Sequence, residues 1–210
     1  MTGIPDPLPG PAPRRCPAGG LERSAERDAA LRALLPEVPR LGWSLAALRA
    51  GLLAAGRDPE GAESLFPTGP VGLVEAWCDL ADRDMAAAAA AQGLETLRIP
   101  ARIRALVVLR LQQAAPHREA VRRAGALLAL PWNLGAATRA TARTVDAIWL
   151  AAGDASTDLS FHTRRMILAG VYGSTLAFWL RAEDMAATLD FLDRRLADVA
   201  RLQKRRPRAA

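Results

Sequence analysis

The chain has 210 residues, with 28 Lys/Arg against 22 Asp/Glu for a net charge of +6; half of it is apolar and only 5% is aromatic. That length suits one helical domain, or one domain with a small appendage. No stretch reaches the ~18 uncharged apolar residues that a membrane-spanning helix needs, and the two cysteines, Cys16 and Cys78, offer neither a disulfide framework nor zinc spacing, which fits a reducing cytosol.

Residues 1–22 hold Pro5, Pro7, Pro9, Pro11, Pro13 and Pro17. Prolines at that density remove backbone donors and favour extended conformers, so a disordered leader is expected. Asp6 and the same prolines argue against an amphipathic presequence. Ser24 is the expected N-cap of a first helix running to Val38, with Leu31, Leu34, Leu35 and Val38 at helical spacing. Gly42 ends that helix, and Ser44 caps a second that runs to Gly56. Asp58 and Pro59 read as the N-cap and first residue of a short third helix ending near Phe66-Pro67. A longer fourth helix follows Gly69-Pro70 and continues through Ala86–Ala91. Three short helices before a long one is the layout of a helix-turn-helix feeding a bundle, and AAGRDPEGAESLFPTGPVGLVEAW resembles the DNA-binding region of TetR-type repressors.

Pro100 opens a basic amphipathic helix, ARIRALVVLRLQQ, and Pro116 opens another that stops at Pro131. The basic block from Arg102 to Arg123 reads as a solvated helix face. A helix from Leu134 to Ala152 ends at Gly153; the loop GDASTD leads into a long helix, Leu159–Leu180. The last helix starts near Glu183/Asp184 with an apolar stripe of Met185, Leu189, Leu192, Leu196, Val199 and Leu202. No strand is expected. The fold predicted is all-α: a TetR-like helical bundle with a degenerate helix-turn-helix. Its expected organisation is leader (1–22), helix-turn-helix region (23–68), lipid-binding bundle (69–203) and basic tail (204–210).

The reading helix of a helix-turn-helix needs phosphate-binding cations. Here the available positions carry Asp58, Glu60 and Glu63 against one cation, Arg57, so no nucleic-acid partner is expected. Catalysis is not indicated either. His117 and His162 are the only histidines, neither follows a Glu-x-x pattern, and no HExxH, GxGxxG, P-loop or GxSxG element occurs. Glu119 beside Arg122 and Arg123 reads as a surface ion network, and Asp154, Ser156, Thr157 and Asp158 as capping residues. The predicted sites therefore include no catalytic residue, no metal and no cofactor.

The ordered series GWSLAALRAG, SLFPTGPVGLV, RIRALVVLRL, PHREAVRRAGALLALP, RTVDAIWLAAGDASTD, TRRMILAGVYGSTLAFWL and DFLDRRLADVARL resembles the ubiquinone (coenzyme Q) biosynthesis accessory family often written Coq nine, across about residues 28–202. The resemblance implies a non-catalytic accessory protein of ubiquinone biosynthesis with a lipid-binding cavity. It also implies that the protein presents an isoprenoid quinone or other lipid to a di-iron hydroxylase, that it forms a homodimer, and that it sits at a membrane surface. For a bacterial chain that means a cytoplasmic position, peripheral to the inner membrane. The rival reading is a TetR-type transcriptional regulator with a hydrophobic effector.

From Met166 onward the long helix is apolar nearly all round, so it is either buried on several sides or lines an apolar site. Leu127, Leu130, Trp132, Ile148, Trp149, Met166, Val171, Leu176 and Trp179 are the expected lining of a cleft for an isoprenoid tail; an ordinary packed core is the other reading of the same residues. Gly125, Gly170 and Gly173 allow close approach there. The family's hydroxylase-docking patch carries over to Asp158, Phe161, His162 and Arg165, with Phe161 in place of the usual Trp and His162 in place of Tyr. Set against the eukaryotic members, which carry an extra C-terminal amphipathic helix, the ending RLQKRRPRAA is expected to lack that helix, and its basic residues either substitute at an anionic leaflet or form a solvated helix end.

Overall fold

A computed structural model describes residues 21–154 and 160–205, with side chains described up to Asp154 and again from His162 to Leu202. The Pro-rich leader, the tail after residue 205, and Ser156, Thr157 and Asp158 lie outside the described residues. Ten α-helices follow in order: α1 (Ala25–Leu34), α2 (Val38–Leu41), α3 (Leu45–Ala54), α4 (Ala62–Leu65), α5 (Gly69–Ala91), α6 (Ile99–Ala114), α7 (Arg118–Leu128), α8 (Leu134–Ala151), α9 (Ser160–Trp179) and α10 (Met185–Arg205), with no strand among the described residues.

Capping chemistry sets several starts. The Ser24 and Ser44 hydroxyls accept from the amides of Arg27 and Ala47, each at 3.1 Å, satisfying donors the first turn leaves open. The Asp184 carboxylate does the same for the Ala187 amide at 2.7 Å. Two boundaries differ from the sequence expectation. The first helix does not run to Val38: it becomes a 3-10 turn at Leu35–Glu37 and resumes as α2, because Pro36 and Pro39 each lack an amide proton. The third helix does not start at Pro59. The Asp58 carboxylate accepts from the Glu60 amide at 2.9 Å, a local turn, and α4 is only the four residues Ala62–Leu65.

α3 lies so close to α1 that a Cβ at Gly51 would come within 2.2 Å of the Ala33 carbonyl oxygen, so only glycine fits this crossing. One core runs without a break from Ala30 and Leu31 in α1 through Leu73 and Val74 in α5 to Leu192 in α10. Trp43 joins the two regions: its ring lies 5.2 Å from that of Trp77, and its Nε1–H donates to the Ala120 carbonyl at 2.9 Å. Ion pairs reinforce the junction, with Arg23 on Asp79 and Arg83 on Asp28, both at 2.6 Å. α8 packs against α5 and α9, and α10 packs against α9 and α6.

The basic block of α6 and α7 is only in part the solvated face expected: Arg122 and Arg123 are exposed, whereas other cations of the block are spent on the fold. Arg102 donates to the Ala152 and Leu97 carbonyls at 2.8 Å, Arg104 pairs with Asp193 at 2.5 Å, and Arg110 is buried on Asp82. Arg118 donates to the Ala182 carbonyl at 2.5 Å and to that of Trp179, where it neutralises the C-terminal end of α9. Charge counts along a sequence do not reveal these partners, most of which lie dozens of residues away. Glu119 is held by Arg122 and Arg123, as its neighbours suggested, and those guanidiniums lower its pKa.

Candidate lipid-binding cavity

The faces of α9 decide where space remains. Leu168, Val171, Tyr172, Thr175 and Trp179 are buried, a spacing of three and four that aims one side into the bundle. The opposite side carries Met166, Gly170, Gly173 and Ala177, all exposed. The helix is apolar all round yet covered only on one side among the described residues.

Under the buried side, a cavity of about 270 Å3 opens between the start of α6, the end of α8, α9 and the C-terminal half of α10. Ile99 and Ile103 supply one wall, Ile167 and Val171 another, Leu196 and Val199 a third, and Trp149 the floor. The Trp149 Nε1–H is buried without an acceptor among the described residues. Arg164 and Asp154 bring the polar contribution, 3.6 Å from each other, with the Arg164 guanidinium 5.9 Å from the Trp149 ring centre. Arg104 closes one flank by binding Asp193 across α6 and α10, and it lowers the Asp193 pKa by that hydrogen bond. Further along the α9–α10 pair, Phe178 and Phe191 stack at 4.5 Å and fix the hairpin.

Exposed aliphatic side chains flank the lining residues in sequence. Leu97 and Ile99 open α6, Leu150 follows Trp149, and Leu202 follows Ala200; Leu150 is 78% and Leu202 66% exposed. Arg98 and Arg201 are exposed beside them. No described helix is long and apolar enough to cross a membrane.

The nine residues predicted to line one cleft do not share one. Trp149 and Val171 line this cavity. Leu176 lines a smaller one deeper in the bundle. Ile148 and Trp179 are packed in the core, Trp179 beneath the Arg118 guanidinium at 5.2 Å. Leu127 packs against the core edge and Leu130 is half-buried. Trp132 and Met166 are each 77% exposed; Met166 borders a groove of about 630 Å3 between α8 and α9. The reason is rotational: residues close in sequence on one helix point to different neighbours, and the lining from α6 and α10 was not visible in the apolar patterning of α9 alone. Of the docking residues, His162 and Arg165 also border the α8–α9 groove, where Arg165 binds Asp146. Asp158 and the Phe161 side chain lie outside the described residues.

Sequence reasoning also missed Asp82 and Arg110, the charged pair at the centre of the bundle. A signal existed: Arg110 falls on the same helical face as Ile103, Leu106 and Val107, all buried. Burial raises the Asp82 pKa, and it lowers that of His117 nearby. Among the described residues no group of His, Cys, Asp and Glu is arranged to hold a metal ion.

A model of the COQ9 family matches residues 134–203, the stretch that contains α8, α9 and most of α10. The ubiquinone biosynthesis protein COQ9 of Rattus norvegicus, a mitochondrial protein, is 37% identical over 98 residues, 46% of this chain and 31% of that protein. Its Drosophila melanogaster counterpart is 28% identical over 185 residues, 85% of this chain and 56% of that one. Over residues 134–203 the chain is thus similar to the COQ9 family. The family match falls on the two cavity-forming helices α9 and α10 and on the end of α8 that carries Trp149. The chain spans about a third of the length of the vertebrate relatives. Among solved structures, a TetR transcriptional regulator from Nitrosomonas europaea superposes with a TM-score of 0.67 at 23% identity, over 84% of this chain and 99% of that one. The fold is accordingly all-α and TetR-like.

Proposed function

We propose that this chain is a non-catalytic lipid-binding accessory protein of ubiquinone biosynthesis, presenting an isoprenoid quinone intermediate to the di-iron hydroxylase of that pathway. The observation that carries the reading is the mostly apolar cavity between α6, α8, α9 and α10. The names of the relatives supply the pathway. A polyprenyl tail is insoluble in water, and burying its apolar surface contributes ~25 cal/mol per Å2. At about 270 Å3 the cavity sits just below the ~300–1,000 Å3 of typical ligand pockets. It holds part of a long tail, and the remainder stays in a bilayer.

Leu97, Ile99 and Leu202, with Arg98 and Arg201 beside them, suit contact with an anionic membrane surface. The protein's working position is then peripheral to a membrane, in a bacterium the cytoplasmic face of the inner membrane. His162 and Arg165, with Asp158 and Phe161, form the hydroxylase-docking patch. The small-residue outer face of α9, Gly170, Gly173 and Ala177, is the contact with a second copy in a homodimer. The TetR-type regulator is the weaker reading. α4 is one turn long, its Glu63 is tied to Arg49 at 2.7 Å, and Asp58 and Glu60 are exposed where phosphates would lie.

Mass spectrometry of lipid extracted from the purified protein tests the proposal. An isoprenoid quinone is expected to co-purify, and Val171→Trp, which fills the cavity, is expected to lower its yield at least about tenfold, the effect of displacing a few buried methylenes. Absence of any isoprenoid from the unmutated protein, with none bound on addition, overturns it.

A further inference from the structure

A second cavity, of about 120 Å3, lies at the centre of the bundle between α5, α6, α7, α8 and α9 and shares no lining residue with the one beneath α10. Its lining is of two kinds. Arg110, Thr144, Tyr172 and Cys78 supply polar groups; Val121, Ala124, Leu128 and Leu176 supply apolar surface. Arg110 is 4% exposed and Tyr172 8%.

The hydrogen bonds of the polar groups are unevenly used. The Asp82 carboxylate is engaged on both oxygens, accepting from Arg110 Nε at 3.1 Å and from the Thr144 hydroxyl at 2.8 Å. That Nε bond is the one hydrogen bond Arg110 makes among the described residues, so both terminal amino groups of a buried guanidinium remain unspent. The Tyr172 hydroxyl bonds to no described residue, and burial keeps both it and the Cys78 thiol neutral by pushing each up to about 12. Donors therefore exceed acceptors. Charge is already balanced, one guanidinium against one carboxylate. An anionic ligand would add an uncompensated charge in apolar surroundings, which is strongly unfavourable; a neutral acceptor would not.

Size narrows the choice further. An apolar cavity of ~150 Å3 takes a benzene ring. Water alone fits poorly, because each buried water needs about three polar partners and the apolar lining supplies none. Access exists between α7 and α8: Gly125 and Thr141 line the cavity and are exposed, and a Cβ built at Gly125 meets nothing within 4 Å.

We propose that this cavity is a binding site, distinct from the one beneath α10, for a neutral one-ring ligand with a carbonyl or phenolic oxygen, which accepts from Arg110 and Tyr172 while the ring lies on Val121, Ala124 and Leu176. The site does not depend on the lipid reading, and its test uses no lipid.

Ligand-observed NMR titration of the full chain with phenol is the direct experiment, with benzene and benzoate in parallel. Phenol is expected to bind saturably, and benzene and benzoate each about fivefold or more weakly, the loss of at least one net hydrogen bond or the addition of a buried charge. Tyr172→Phe is expected to weaken phenol about fivefold. Gly125→Leu, which covers the mouth without entering the core, is expected to abolish binding, whereas Gly125→Ala preserves it. Thermal melts confirm that each variant is folded; should Gly125→Leu fail that check, Tyr172→Phe and the phenol–benzene ratio decide alone. Equal affinity for phenol and benzene, no saturable phenol binding, or phenol binding indifferent to the folded variants overturns the proposal.

Discussion

Arg27 in α1, among the short N-terminal helices, and Arg110 in α6, in the bundle, are both buried, 8% and 4% exposed, and both lie over an aromatic ring, Phe66 at 4.3 Å and Trp77 at 5.7 Å. They do different things. Arg27 reaches across to the Leu65 carbonyl at the end of α4, and its ion-pair partner Glu22 is exposed at 3.5 Å. It clamps the short helices into one unit. Arg110 is paired with a carboxylate that is itself buried, and it has donors left over. A charge inside a small helical unit serves to hold backbone together. A charge at the centre of a bundle, beside a cavity, is available to something that is not protein. The short N-terminal helices close around their buried arginine; the bundle leaves space beside its own.

Mutation separates the two roles, and the largest effect is expected at the centre. Arg110→Ala leaves Asp82 buried and unpaired, a loss of ~3–5 kcal/mol of stability in urea unfolding, and Arg110→Ala combined with Asp82→Ala recovers part of it. Arg27→Ala removes a charged donor from a single carbonyl near the surface, and the expected loss is smaller, ~1.5–3 kcal/mol. Equal losses would erase the distinction between clamp and buried pair. The smallest effect concerns the junction between the regions. Arg83 holds the Asp28 carboxyl below its ordinary 3.8. A depressed carboxylate contributes stability above its unfolded pKa and loses it as pH falls through its folded value. Asp28→Asn is therefore expected to lower stability at pH 7 and to flatten the decline below about pH 4. An unchanged acid limb in the variant would show that this junction does not report on pH.

Much of the fold was legible. Ser24 and Ser44 cap the helices they were expected to cap, and α5 to α10 begin and end near the prolines, glycines and acids that signal those boundaries. The misreadings have local causes. The Leu31–Val38 spacing predicts a helix straight through Pro36, and Asp58 before Pro59 has the residue type of a cap although it closes a turn. The candidate site was legible only in part. Trp149 and Val171 were found, but Ile103, Leu196 and Val199 were not, since each reads as ordinary core until its neighbours are known.

Helix positions, apolar faces and the acidic run at Asp58, Glu60 and Glu63 follow from the order of residues, because capping and the 3.6-residue period act within a few positions of the chain. Which apolar face is covered, which leaves a cavity, and whether an arginine meets solvent, a carbonyl or a buried carboxylate were settled only by the packing of helices up to a hundred residues apart, as Arg104 on Asp193 illustrates. Close packing depends on summed volumes from several helices at once, and no single stretch of sequence carries that sum.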